Sequence, residues 1–396
     1  MDSQDLPAPD LAGLTVLQVI PTLETGGAER TTLEVARGVL AAGGRSLVVS
    51  EGGALAGRLE AEGSVHLTMP AASKNPMVMA RLRTALSQVI EEEGAGLVHA
   101  RSRAPAWPAM GAARAARIPF VTTYHGIYSG RTRLKRLYNS VMARGDVVIA
   151  NSAYTERVVR ETYQGWRFFD ASRLVTIPRG ADLAAFDEAA VTPERAATME
   201  GRLGGAGAVR VLLPGRLTEW KGQRILVEAA RRLHDGGTAQ PLRVALVGDA
   251  QGREAYREAL SAMIEEADLS RIVTLAGHVD DMPAAYAWSD VVVSASTRPE
   301  AFGRVAVEAM ATGRPVVATN HGGSAETVVD GETGRLVPPG DADALAEAIG
   351  ALARDPEARR AMGRAGRARA RARYSTGAMV ARTLDVYASL RRAPRD

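Results

Sequence analysis

Short runs of aliphatic and β-branched residues recur along the whole chain, and each is followed by a stretch with apolar residues at helical spacing. In the first half these runs fall at 14–20, 46–50, 65–69, 97–100, 120–124 and 146–150. Between the first two, residues 29–42 set Leu33, Ala36 and Leu40 on one helical face. The second half repeats the rhythm at 209–213, 243–247, 272–275, 291–294 and 316–319. Near-continuous apolar strands alternating with helices predict parallel sheets covered on both faces. At 396 residues the chain exceeds one ordinary core. The reading is therefore α/β, with two doubly wound, Rossmann-like parallel-sheet domains facing across a cleft.

The boundary is read at 179–207, where PRGADLAAFDEAAVTPE is followed by Gly201, Gly204, Gly205 and Gly207. That composition is turn-rich and poor in strand pattern. It gives a first domain over 1–178, an interdomain linker over 179–207 and a second domain over 208–374. A last helix, 375–396, is expected to pack back toward the first domain. Open parallel sheets place ligands at the C-terminal edges of their strands, so the cleft is the expected active site.

Composition and missing motifs narrow the chemistry. Cysteine is absent, which removes disulfides, zinc-thiolate sites and cysteine nucleophiles. No G-x-G-x-x-G follows a strand, no G-x-x-x-x-G-K-[ST] loop occurs, and there is no H-E-x-x-H helix. Asp341-Ala-Asp343 reads as a helix N-cap rather than a metal motif. The expectation is no bound cofactor and no obligatory metal. Net charge is +4 with a pI near 9.5, too small an excess to argue for nucleic acid. The Arg-Ala alternation over 359–373 reads as a solvated helix face. The start, MDSQDLPAPDLAG, lacks the basic and apolar pattern of a signal peptide, and no run approaches a membrane span. The expected location is cytoplasmic, either soluble or attached peripherally to the cytoplasmic face of the inner membrane.

Three segments carry chemistry. The first strand runs into PTLETGGAER, where Gly26 and Gly27 let backbone N–H groups approach an anion at a helix start; an ordinary tight turn is the equal alternative. The strand VRVLLPGR continues into LTEWKG, so that Arg216 and Lys221 leave one strand end together; solvation is the usual fate of such cations, but the glycine after the strand and the GR-x4-KG spacing favour a diphosphate clamp. In DVVVSASTRPEAFGRVAVEAMATGRPVVAT a strand ends, a loop carries Glu300, and Ala301, Phe302 and Gly303 lead into a helix bearing Glu308. Backbone N–H groups at that helix start suit a departing phosphate. Glu300 can accept hydrogen bonds from sugar hydroxyls and Glu308 can reach a ribose diol; the plainer alternative makes Glu300 an N-terminal helix charge and Glu308 a surface residue, although an idle carboxylate inside the apolar run 305–310 would be costly.

GGAER, GR-x4-KG and E-A-F-G-x4-E-A-M-A resemble the retaining nucleotide-sugar glycosyltransferases of the GT-B fold, glycosyltransferase family four. The likeness covers nearly the whole chain. It implies an acceptor-binding first domain and a second domain that binds the nucleotide-sugar donor. It maps the glutamate on the transferred sugar to Glu300, the ribose glutamate to Glu308, and the diphosphate cations to Arg216 and Lys221. The family's first-domain histidine maps to His125 in VTTYHG. Val279 falls where the family's backbone meets the base, and Gly322 and Gly323 match a turn near the site. HARSRAPAWPA, VTTYHGIYSG and RLKRLYNSVMARGD look like segments of alphaproteobacterial lipopolysaccharide-core transferases, some resembling mannosyltransferases. That likeness implies GDP-mannose as donor and a lipid-linked anionic saccharide, such as lipopolysaccharide core, as acceptor.

The charge pattern points to an anionic acceptor independently. Across 101–144 the charged residues are Arg101, Arg103, Arg114, Arg117, Arg131, Arg133, Lys135, Arg136 and Arg144, with no acid among them. Tyr128, Leu134, Leu137 and Tyr138 add an apolar complement, as an interfacial helix on an anionic membrane surface needs; a solvated helix packed by its leucines is the alternative. Arg101 and Arg103, just past the strand LVHA, are the first candidates for an acceptor phosphate or carboxylate, with Tyr128, Arg131 and Arg133 beside them. The catalytic set is His125, Arg216, Lys221 and Glu300. Rival readings are a UDP-sugar transferase, a sugar-nucleotide epimerase or a phosphorylase on the same fold, or a non-catalytic nucleotide-sugar-binding subunit.

Overall fold

The computed structural model describes residues 9–24, 26–128, 130, 132–237 and 240–391. The chain divides into two compact units, one made of residues 1–180 and 376–396, the other of 181–375. In the first unit the order is β1 (Thr15–Val19), α1 (Gly27–Ala41), β2 (Arg45–Ser50), α2 (Ala56–Ala61), β3 (Val65–Thr68) and α3 (Pro76–Glu92). Then come β4 (Ala95–Ala100), α4 (Arg103–Ala116), β5 (Phe120–Tyr124), α5 (Arg133–Asn139), β6 (Val147–Ala150), α6 (Ala153–Tyr163) and β7 (Leu174–Thr176). The second unit opens with α7 (Pro193–Leu203), β8 (Val209–Pro214), α8 (Gln223–Asp235), β9 (Leu242–Val247), α9 (Glu254–Glu266) and β10 (Val273–Gly277). It continues through α10 (Met282–Trp288), β11 (Val291–Ser294), α11 (Arg304–Ala311), β12 (Val316–Thr319), α12 (Ser324–Thr327), β13 (Gly334–Val337), α13 (Ala342–Arg354) and α14 (Pro356–Arg373). The last helix, α15 (Thr376–Leu390), belongs to the first unit.

Both sheets are parallel and doubly wound. The first has the order β3-β2-β1-β4-β5-β6-β7, the second β10-β9-β8-β11-β12-β13. Side-chain alternation sends residues of one strand to opposite helical layers. Leu17, Val98 and Val148 enter one apolar cluster, while Val16, Leu97 and Ile149 enter another with Met379, Leu384 and Tyr387 of α15. In the second sheet Val211, Val293 and Val317 face one layer, and Leu212, Val292 and Val316 the other. Strand order reverses at β1/β4 and again at β8/β11, which are the positions where such sheets open a crevice at their C-terminal edge.

The stretch read as a linker is mostly part of the second unit. Thr192 caps α7, and Met199 and Leu203 bury against Ala181 and Tyr286. With only two buried apolar residues, α7 gave too thin a periodic signal beside its glycines. The edge strands β7 and β13 fall outside the apolar runs, because three or four residues of mixed burial leave little pattern. The arginines of α14 are less solvated than the alternation implied. Arg367 donates to the Thr312 carbonyl (2.9 Å), Arg369 to those of Glu326 (2.7 Å) and Thr327 (2.9 Å), and Arg359 to that of Ala353 (2.9 Å). They satisfy the orphan carbonyls that end α11, α12 and α13.

A polar group is buried where α15 meets the first sheet. His99 is fully buried, with Nδ1 2.6 Å from the Tyr387 hydroxyl and Nε2 2.7 Å from Thr123 Oγ1. Burial first, then Arg101 and His125, hold its imidazole well below the ordinary range. The unfolded chain therefore binds a proton that the folded chain refuses. Stability is full above about pH 6.5 and is lost as pH falls below it. Tyr387→Phe should cost about 1–3 kcal/mol by leaving a buried ring nitrogen unpaired, measured by urea unfolding at pH 7.5. An unchanged midpoint would show that α15 is held by its apolar residues alone.

Candidate active site

In the second unit, β8 ends at Pro214 and the chain turns through Gly215 and Arg216 into a short 3-10 turn, Glu219–Lys221. Gly222 then takes φ +79, and a Cβ there would overlap the Ala295 carbonyl beyond β11. Only glycine brings the two strand ends this close. The Thr297 N–H donates to the Trp220 carbonyl at 2.7 Å and ties the two loops. The result is an ion pair: Lys221 Nζ lies 2.8 Å from Glu300 Oε1, with the side chains 15% and 13% exposed. The Ser296 hydroxyl donates to the same carboxylate oxygen, and the Trp220 ring lies beneath the ammonium at 4.6 Å. Arg216 is exposed. Its carbonyl accepts from the buried Gln223 amide at 3.0 Å, and its guanidinium reaches Gln251 at 3.5 Å.

The Glu300 loop is clamped from below by two glycines. The Gly323 N–H donates to the Glu300 carbonyl at 2.7 Å. A Cβ on Gly322 would press on the Glu300 backbone, and one on Gly323 would overlap Phe302. Phe302 is buried edge-on against Tyr374, and Ala301 beside it is half-buried. Gly303, at φ +79, starts α11 with its amides at the C-terminal edge of the sheet. Glu308 is turned inward: Tyr286 Oη donates to Oε2 at 2.8 Å and Arg304 Nε to Oε1 at 2.8 Å. The carboxylate that would be costly to leave idle in its apolar run is paired on both oxygens, and Arg304 and Tyr286 are partners the sequence analysis does not single out. Val279 is buried two residues past β10.

The first unit gathers a second group. Gly26 is the N-cap of α1 without a side-chain cap. The Arg179 guanidinium fills the volume a Gly27 side chain would take. His125 follows β5; its Nε2 is buried and finds no hydrogen-bond partner among the described residues. Burial first, then Arg101 and Arg179, hold this imidazole well below its ordinary range. Arg101, read as a contact for an acceptor anion, is instead only 2% exposed, with Nε donating to buried Gln18 Oε1 at 2.9 Å. Sequence shows its charge but not that β1 covers it. Arg103 donates to Asn139 at 2.9 Å and stacks on Tyr128 at 4.2 Å; burial pushes the Tyr128 phenol up to about 12. Arg133 is exposed on α5. Arg131 lies outside the described residues.

Two parallel Rossmann-like sheets of seven and six strands, each with polar residues at its switch point, define the GT-B class of glycosyltransferases. Residues 206–369 match the model for glycosyl transferases group 1, and residues 25–185 that for Glycosyltransferase Family 4. A solved glycosyltransferase from Rickettsia africae ESF-5 is 32% identical with TM-score 0.87, covering 95% of this chain and 98% of its own. The chain belongs to these glycosyltransferases. Anabaena Alr3699/HepE, solved in complex with UDP, is 26% identical with TM-score 0.81 over 95% of this chain and 100% of its own. A GDP-mannose-dependent alpha-(1-6)-phosphatidylinositol monomannoside mannosyltransferase of Mycolicibacterium smegmatis is 34% identical over 249 residues, 60% of this chain and 59% of its own. The chain spans about half to three fifths of the length of the curated relatives it matches.

Gly222→Ala should push the Lys221 turn off Ala295. The left-handed conformation alone would then cost about 1–2 kcal/mol. Thermal unfolding of the variant should fall, and its affinity for a nucleoside diphosphate should fall with it. Wild-type values for both would mean that the two loops do not depend on this contact.

Proposed function

We propose that the protein transfers a sugar from a nucleotide-diphosphate donor, with retention of anomeric configuration, to an anionic, lipid-linked saccharide. The Lys221–Glu300 pair carries this reading: a cation and a carboxylate held together at the start of α11, on the edge where parallel sheets take ligands. An incoming diphosphate competes for Lys221 and leaves Glu300 to accept hydrogen bonds from sugar hydroxyls. As the bond from the anomeric carbon to the diphosphate breaks, charge grows on the leaving oxygen. Lys221, Arg216 and the amides after Gly303 are placed to take that charge up. The acceptor oxygen attacks from the same face and its proton passes to the departing phosphate, so configuration is kept without an enzymatic nucleophile. His125 meets a hydroxyl of the transferred sugar, and Glu308, released by Arg304, meets the ribose. Protein cations carry the diphosphate charge in this scheme, and no metal is invoked.

GDP-mannose is the first donor, supported by the GDP-mannose-dependent relative. A UDP-sugar is the second, supported by the UDP complex of the Anabaena protein. The acceptor reading rests on the acid-free basic stretch 101–144 and on α5. There Leu134 is 80% exposed and Leu137 45%, flanked by exposed Arg133, Lys135 and Arg136. Such a helix suits peripheral contact with an anionic, saccharide-bearing bilayer on the cytoplasmic side. Among the described residues no helix is long and apolar enough to cross a membrane.

Lys221→Ala should lower turnover by about 10²–10³ while circular dichroism stays native. Near-normal transfer by that variant would remove Lys221 from the mechanism. A thermal-shift panel of GDP, UDP and their sugars should single out one base. At one hundred times its dissociation constant the true donor adds about 2.7 kcal/mol to stability. Equal shifts for both bases, or none, would overturn the donor assignment, and loss of transfer in EDTA would overturn the metal-free scheme.

A further inference from the structure

Ser296 lies just past the end of β11, at the C-terminal edge of the second sheet, and is 2% exposed. Its backbone is held from β12 and the loop beyond it. The carbonyl accepts from Thr319 Oγ1 at 2.9 Å and from His321 Nε2 at 2.8 Å. A carbonyl oxygen only accepts, so the His321 nitrogen facing it carries a proton. The residues on either side of Ser296 are pinned as well. Ala295 packs against Gly222, and the Thr297 N–H donates to the Trp220 carbonyl at 2.7 Å. The Ser296 hydroxyl donates to Glu300 Oε1, the oxygen that also receives Lys221 Nζ at 2.8 Å. Among the described residues no group donates to Glu300 Oε2. The Glu300 carbonyl is fixed by the Gly323 N–H at 2.7 Å. Segment 319–323 therefore holds Glu300 twice, at its backbone directly and at its carboxylate through Ser296.

We propose that Ser296 is a positioning residue for the transferred sugar: it keeps Glu300 Oε1 occupied when Lys221 turns to the diphosphate, so that Oε2 stays aimed at sugar hydroxyls. The two partners of Oε1 differ in how they answer a donor. Lys221 is a compact ammonium on a flexible stem, and a diphosphate draws it away. The Ser296 hydroxyl is neutral, short and carried on a pinned backbone, so it stays where it is. An ionised carboxylate offers about four lone-pair sites over its two oxygens. Lys221 and Ser296 engage those of Oε1 and leave those of Oε2 for the substrate. The last torsion of a glutamate is broad and roughly two-fold. Once Lys221 left, a carboxylate without Ser296 would turn about that bond and present either oxygen. Ser296 thus separates two tasks that the ion pair sets against each other, the cation serving phosphate and the carboxylate serving sugar. Its effect is confined to the sugar and leaves the nucleotide alone.

The substrate side of this inference rests on the transferase reading, whereas the geometry without ligand does not. In ligand-free crystals of Lys221→Ala, Glu300 should keep its wild-type position on Ser296. In the double variant Lys221→Ala/Ser296→Ala it should turn away. Displacement already in the single variant, or retention in the double, overturns the role of Ser296. With ligand, calorimetric titrations of the full chain compare GDP with GDP-mannose and UDP with UDP-glucose. Ser296→Ala should bind the nucleoside diphosphate as wild type does. Its affinity for the nucleotide sugar should fall about tenfold, the usual contribution of one hydrogen bond to a charged group. Ser296→Thr, which keeps the hydroxyl, should recover that affinity. An equal loss for both ligands is what a purely structural role gives, and it overturns the proposal, as does no loss for the sugar. If Ser296→Ala does not fold, Ser296→Cys, with only a weak donor, takes its place in both arms. A wild-type protein that binds neither nucleoside diphosphate sinks the functional reading and the sugar side with it. The crystals then still decide whether Ser296 anchors Glu300.

Discussion

The second unit depends on one approach: the loop after β8 must come close enough to the loop after β11 for Lys221 to reach Glu300. The two residues are 79 positions apart in sequence and 2.8 Å apart in space. Strand order supplies the proximity, since β8 and β11 are neighbours across the point where the winding reverses. Missing side chains supply the rest. Gly222 clears the Ala295 carbonyl, and Gly322 and Gly323 clear the backbone of Glu300 and Phe302. Each glycine stands where a methyl group would force two backbones apart, so the polar pair is a product of what the loops omit.

Much of this was legible in the chain. Eleven of the strands announce themselves as apolar runs, and GR-x4-KG and Glu-x7-Glu mark the strand ends that face the site. What was not legible has a common cause: burial and long-range neighbours are not written in local pattern. Arg101 reads as an exposed cation until β1 places Gln18 over it. Arg179 and Gly27 belong to segments with no shared periodicity, and only the fold brings the guanidinium onto α1. Glu308 reads as costly inside an apolar run; its partner Arg304 stands at the testable i,i+4 spacing on α11, whereas Tyr286 is brought to it only by the fold. The helix α7 hid because two inward residues are too few to outweigh Gly201 and Gly204.

The first unit spends its polarity differently. Its sheet carries Gln18, His99 and Thr123 in the interior, and the last helix of the chain arrives to complete that group through Tyr387. Buried polar groups fix a unique arrangement when every member is matched and are costly when one is not. A helix coming from residues 376–390 thus becomes part of the same interior as β4 and β5, which is why the first unit is discontinuous in sequence.

One property of the ion pair reaches beyond the site. The chain holds 49 basic residues, and only Lys74, Lys135 and Lys221 among them are lysines. Where almost every cation is written as a planar, permanently charged fork, the residue beside Glu300 is a compact ammonium on a flexible stem. Lys74 and Lys135 are exposed, whereas Lys221 is shielded by Trp220 and its carboxylate. To an amine-selective acylating reagent the three lysines are therefore unequal: Lys74 and Lys135 lie open to it, and Lys221 is shielded by its own ion pair.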